Sequence, residues 1–93
     1  MIPAAARPRL AAKARIRFDR RTEGYWLLYP EKGLKLNPTA AEIVKLCTGE
    51  HTVAEIAELL AGRYAAKPRA AMEQEMQDFL TALAERGLVR YEA

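Results

Sequence analysis

Period-two alternation runs through the first third of the chain. Over residues 14–19, Ile16 and Phe18 fall on one face and Arg15 and Arg17 on the other, which predicts a half-buried strand. Residues 20–24 are polar and end in glycine, a turn signal. The next stretch, 25–29, is apolar on both faces. Tyr25, Leu27 and Tyr29 share one face and Trp26 and Leu28 the other, as in a central strand. Its second face needs cover from the N-terminal arm, a second copy or a ligand. After a turn at 30–33, Leu34 and Leu36 point one way and Lys35 the other. Three strands joined by short turns predict an antiparallel meander whose first and third strands are edges.

The period then changes to that of a helix. Asn37 is a capping residue, and Pro38 suits the first helical position, where no N–H is needed. Ala40, Ile43, Val44 and Cys47 form one apolar stripe, and Gly49 is expected to close that helix. Thr52 and Glu55 have capping-box spacing ahead of a second stripe of Val53, Ile56, Ala57, Leu60 and Tyr64. A third helix is predicted from near Pro68 to about Arg86, with Met72, Met76, Phe79, Leu80 and Leu83 as its stripe. Gly87 ends it, and Leu88 is expected to fold back on Leu83. Residues 88–91 read as a short extended tail.

At 93 residues the chain makes one domain, with residues 1–13 expected to be a flexible N-terminal arm and 14–93 the folded unit. The single cysteine, Cys47, excludes an internal disulfide and a cysteine-based metal cluster within one chain. No stretch resembles a signal peptide or a membrane span, so the simplest location is cytoplasmic. Charge changes the picture more. Residues 1–36 hold nine Lys and Arg against three acids, whereas 37–93 hold six against nine. The front half is therefore suited to an acidic partner or to nucleic acid.

Catalytic chemistry is absent from the pattern. There is no glycine-rich phosphate loop and no Cys–His pair at a useful spacing. Glu73, Glu75, Asp78 and Glu85 lie away from the apolar stripe, as on a solvated face. The chain is expected not to be an enzyme and to need no metal or cofactor. A winged-helix DNA-binding regulator is the alternative, since the last two helices have helix-turn-helix character. Residues 68–86, however, carry Arg69 and Arg86 against four acids, the wrong balance for a recognition helix. A peptide adaptor fits better. The first strand discourages pairing through Arg15 and Arg17, while the third carries only Lys35 outward between two leucines. Such an edge beside an apolar helix offers an extended peptide a hydrogen-bond ladder and side-chain pockets. Methionines adapt to varied shapes in such a groove.

Several segments together resemble the PqqD family of pyrroloquinoline quinone (PQQ) biosynthesis. They are RFD at 17–19, YWLLYPE at 25–31, LN at 36–37, AAEIVKLCTGEHTVAEIAELL at 40–60 and FLTALAERGLV at 79–89. The likeness spans nearly all of residues 8–91. Its LN-to-helix junction and TVAEI are shared by the precursor-peptide recognition domains of many peptide-modifying systems. The resemblance implies an α+β, winged-helix-like domain, an N-terminal three-stranded antiparallel sheet followed by three helices. It implies a chaperone that binds the precursor peptide PqqA by strand addition. It also implies presentation of that peptide to the radical SAM enzyme PqqE, which cross-links a glutamate and a tyrosine in it. In related domains the leader peptide joins the third strand and rests against the third helix. On this sequence that maps to Leu34, Lys35 and Leu36, and to Met72, Met76, Phe79 and Leu80. An iron–sulfur cluster and SAM would belong to the partner. Neither nucleic acid nor membrane is an expected partner, and a homodimer is expected only at high concentration.

Overall fold

A computed structural model describes residues 2–91. The alternating segments form β2 (Arg15–Asp19), β3 (Gly24–Tyr29) and β4 (Lys32–Leu36), an antiparallel sheet with β3 in the centre. They are followed by α1 (Pro38–Leu46), α2 (Val53–Arg63) and α3 (Arg69–Glu85). Two further pieces, β1 (Arg9–Leu10) and β5 (Val89–Arg90), pair with each other as a separate two-stranded ribbon. The α+β class and the order of sheet before helices are as the alternation and stripes predict.

Register assigns every strand side chain to a face. Ile16 lies opposite Leu27, which lies opposite Leu34; Tyr25 lies opposite Leu36. This face closes on Ala40, Ala41 and Val44 of α1 and Leu83 of α3. The other face carries Arg17, Trp26 and Lys35 in one row and Arg15, Leu28 and Gly33 in the next. The β3–β4 turn is tighter than expected. Only Pro30 and Glu31 lie between the strands, with Glu31 in the left-handed region at φ 64°. Gly33 therefore belongs to β4 and not to the turn. A Cβ there would approach Leu28 Cδ2 and Trp26 Cε3 at 3.3 Å, so glycine lets those side chains lie across the strand.

Local chemistry sets the helix ends. Asn37 Oδ1 accepts the Ala40 N–H at 2.7 Å. Thr52 and Glu55 form the capping box, with the Glu55 N–H donating to Thr52 Oγ1 at 3.0 Å and the Thr52 N–H to Glu55 Oε1 at 2.7 Å. Accepting that backbone N–H holds the exposed Glu55 carboxyl below the usual carboxylate range. Helix α3 has no side-chain cap at its start, where Pro68 precedes it. Its end is a Schellman closure. The Leu88 N–H donates to Leu83 O at 2.9 Å and the Gly87 N–H to Ala84 O at 3.0 Å, with both leucines buried. Gly49 plays a different part from the one expected. Helix α1 closes at Cys47, and a Cβ on Gly49 would sit 2.7 Å from the Arg9 guanidinium. Its φ of 85° and bare Cα serve the approach of the N-terminal segment.

That segment is the main departure from the sequence reading. Residues 2–13 do not form a free arm. Ile2, Ala6, Pro8 and Ala11 are buried. Ala6 O and Ala4 O accept the N–H groups of Val53 and Ala54 at 2.9 and 3.0 Å, donors that α2 cannot satisfy within itself. The Ile2 N–H donates to Gln77 Oε1 at 2.9 Å, and Gln77 Nε2 donates back to Ile2 O at 2.8 Å. The small side chains of this Ala- and Pro-rich stretch let its backbone lie directly on the helices.

Two glycines give opposite expectations. Gly87→Ala places a side chain at φ 73° with only Lys13 Nζ nearby at 3.5 Å, so backbone strain decides the outcome. It should destabilise by about 1–2 kcal/mol. Gly62→Ala lies in α2 with nothing within 4 Å and should stabilise by roughly 0.5–1 kcal/mol. Urea unfolding of the pair measures both signs.

Candidate functional site

Among the described residues strand β4 has a neighbour on one side only, so its outer backbone groups form an unpaired row there. Along it Lys32, Gly33 and Lys35 are exposed, Leu34 is half-buried and Leu36 is buried. The inward alternation that buries Leu34 and Leu36 is what turns Lys35 outward. Strand β2 is the other edge, with Arg15 and Arg17 exposed. At its far end Phe18 packs edge-on against Tyr25, centroids 5.1 Å apart, and Lys45 Nζ lies 4.0 Å from the Tyr25 ring centre.

Helix α3 presents three surfaces. Met72, Met76 and Leu80 lie 1%, 1% and 0% exposed among Ile43, Ile56 and Leu60. Their stripe packs on α2 and the N-terminal segment, so both methionines serve as core side chains. Met76 alone of the three also borders a cavity of about 380 Å³ between the N-terminal segment, α2 and the Gln77 side of α3. One flank of the helix carries Gln77, held by Ile2. The opposite flank is open. Phe79 is half-buried there, packed against both core clusters, and Glu75, Ala82 and Arg86, which neighbour it by helical spacing, are exposed.

Leu34 and Phe79 are thus two half-exposed apolar groups bordering the same sheet-side core. Of the seven predicted positions, Leu34, Lys35 and Phe79 reach the surface, whereas Leu36 is buried in the sheet-side cluster and Met72, Met76 and Leu80 in the helical one. Glu75, Ala82 and Arg86, which the sequence reading did not assign to the site, share the open flank with Phe79. The signal was available as their spacing of three to seven residues from Phe79. Recognising it required knowing which side of the stripe the N-terminal segment covers.

Other chemistry is quiet. Burial pushes the Cys47 thiol up to about 12, and its Sγ donates to Ile43 O at 3.2 Å, which makes it an inert packing group. No group of three or more His, Cys, Asp or Glu is placed to hold a metal among the described residues. Four acids of the helical layer are engaged with cations: Glu42 with Lys45 and Arg63, Glu58 and Glu73 with Arg69, and Glu75 with Lys67. Hydrogen bonds to Glu73 and Glu58 hold the Arg69 guanidinium above its ordinary value. No helix is long and apolar enough to cross a membrane among the described residues.

Comparison with known proteins places this geometry in company. The family model described as "Coenzyme PQQ synthesis protein D (PqqD)" matches residues 24–89. The chain is similar to the PqqA binding protein of Bradyrhizobium diazoefficiens, 35% identical over 85 residues, covering 91% of this chain and 82% of that one. It is also similar to the bifunctional coenzyme PQQ synthesis protein C/D of Methylorubrum extorquens, 37% identical over 79 residues, covering 85% of this chain and 21% of that one. Among solved structures it resembles the solution NMR structure of the PqqD truncation of Methylobacterium extorquens PqqCD. The TM-score is 0.75 at 32% identity, covering 89% of this chain and 87% of that one. That truncation is described as a functional, stand-alone recognition element for ribosomally synthesized and post-translationally modified peptides.

Proposed function

The chain belongs to the PqqD family, and from that membership we propose that it is the PqqA-binding recognition element of PQQ biosynthesis. PqqA docks as an added strand on β4 and is presented to the radical SAM enzyme PqqE in the cytoplasm. No catalytic step falls to this chain. The observation that carries the proposal is the free edge of β4 among the described residues, with Leu34 half-exposed on it and Phe79 half-exposed on the open flank of α3, both packed against the sheet-side core. The β4 backbone supplies the ladder, Leu34 and Phe79 the apolar contacts, and Met72, Met76, Leu80 and Leu36 the rigid floor beneath them. Glu75, Ala82 and Arg86 border the peptide on the open flank of α3.

Energetics set the affinity. Ordering a peptide costs roughly 1–2 kcal/mol per residue, so ladder bonds and a few buried side chains leave a modest surplus. A Kd around micromolar, about −8 to −9 kcal/mol, is expected. Titration calorimetry with PqqA tests this. A proline scan of PqqA should weaken binding at alternate positions, because only every second residue turns its N–H toward β4. Phe79→Ala should weaken binding about tenfold with circular dichroism unchanged, and Lys35→Glu should have little effect, since Lys35 acts through its backbone. A period of three to four residues in the scan would mean that the peptide binds as a helix, and strand addition would be wrong.

A further inference from the structure

The outer face of the sheet is unused by the peptide edge, and its chemistry differs from that of the rest of the molecule. Trp26 and Leu28 lie half-buried on the central strand, flanked by Arg17 and Lys35 in one row and by Arg15 and Gly33 in the next. Two shallow depressions of about 530 and 350 Å³ adjoin this row, and Leu28 lines both. The first is edged by Arg17, Arg20 and Arg21, the second by Lys13 and Arg15. None of these cations, nor Lys35, has a carboxylate within 4 Å among the described residues, whereas every ion pair found there joins residues of the helices and their connections. Asp19, the acid on this face, accepts the Arg21 N–H at 2.9 Å.

We propose that this face docks an acidic, apolar-centred surface of the enzyme that modifies the bound peptide. A tryptophan and a leucine ringed by unpaired arginines have the composition of a protein-binding centre, with cations at the rim to steer and select an anionic partner. Nucleic acid fits less well, because α3 carries Glu73, Glu75, Asp78 and Glu85 and a phosphate track would have to avoid that side. The position also serves the reaction, and here the inference rests on strand addition at β4. A strand added there turns alternate side chains onto this same face, about 4.8 Å beyond Lys35. An enzyme seated over Trp26 and Leu28 therefore reaches the outward side chains of the peptide, while the inward ones remain held against the core.

The test is the double variant Arg15→Glu/Arg17→Glu in the full chain. Both residues are exposed on β2, two strands away from the peptide edge, so the fold and PqqA binding should be retained. Affinity for PqqE, measured by biolayer interferometry with and without PqqA, should fall about thirtyfold or more. Wild-type affinity should decline steeply between low and moderate salt, and the residual affinity of the variant should not. Arg15→Gln/Arg17→Gln should fall between the two, which separates charge from packing. PqqE affinity unchanged in the reversed variant would overturn the proposal. So would loss of duplex DNA binding in that variant with PqqE binding intact. If the wild type fails to bind PqqA yet loses PqqE on charge reversal, docking stands and strand addition fails.

Discussion

Met76→Asp is expected to abolish the cooperative fold at neutral pH. Met76 is 1% exposed, packed with Ile2, Ile56, Leu60 and Met72 at the centre of the helical core. Truncating a buried methionine alone costs about 2–5 kcal/mol, and a carboxylate adds the cost of leaving water without a partner. A domain of this size has a total stability of roughly 5–14 kcal/mol. The sum reaches or exceeds that reserve. Thermal unfolding followed by circular dichroism should show no transition, or one lowered by tens of degrees. The pH dependence has a definite sign. Burial raises the folded-state pKa of the introduced carboxyl above its unfolded value, so stability is lost as pH rises through that window and partly regained on acidification. A normal transition at pH 7 would show that position 76 faces solvent. The same arithmetic makes Phe79, at the margin of the core, the informative site for binding, and Met76 a poor one.

Removal of residues 1–8 is expected to lower stability by about 2–4 kcal/mol, which for a domain this small shifts the melting temperature by roughly 10–30 °C. The gross loss is larger. Ile2, Ala6 and Pro8 leave the core, and the hydrogen bonds that Ala4 and Ala6 make with the first turn of α2 are replaced by bonds to water. Regained backbone entropy of the freed segment offsets much of it. Hydrogen exchange at Val53 and Ala54 should accelerate first, since their acceptors lie in the deleted segment. The shortened chain should still bind PqqA below its melting temperature, because the deleted residues cover the flank of α3 that bears Gln77 and not the one that bears Phe79. An unchanged melting temperature would mean that the segment contributes nothing to the fold.

The expectations that held concern interactions closed within a few residues. Strand alternation at Ile16, Leu27 and Leu34 needs only a period of two. The caps at Asn37 and at Thr52 with Glu55, and the closure at Gly87, are hydrogen-bond cycles spanning three to five positions. Each was legible because the groups that form it are near neighbours in the chain. The family resemblance was legible for a related reason, as it rests on contiguous segments such as YWLLYPE and TVAEI.

What the sequence left open depended on distant partners. An Ala- and Pro-rich stretch carries no period, so nothing local distinguishes a free arm from a segment laid on the core. Its placement was decided by β5, some 80 residues away, and by the bare Cα of Gly49. The stripe on α3 was plain, but a stripe has two flanks and a floor. Only the tertiary structure put Ile2 on one flank, closed α2 over Met72, Met76 and Leu80, and left Phe79 at the open margin. By itself the sequence determined which residues are apolar and at what spacing. Packing decided which of them remain available to a ligand, because availability is a property of the neighbours that cover a side chain and not of the side chain itself.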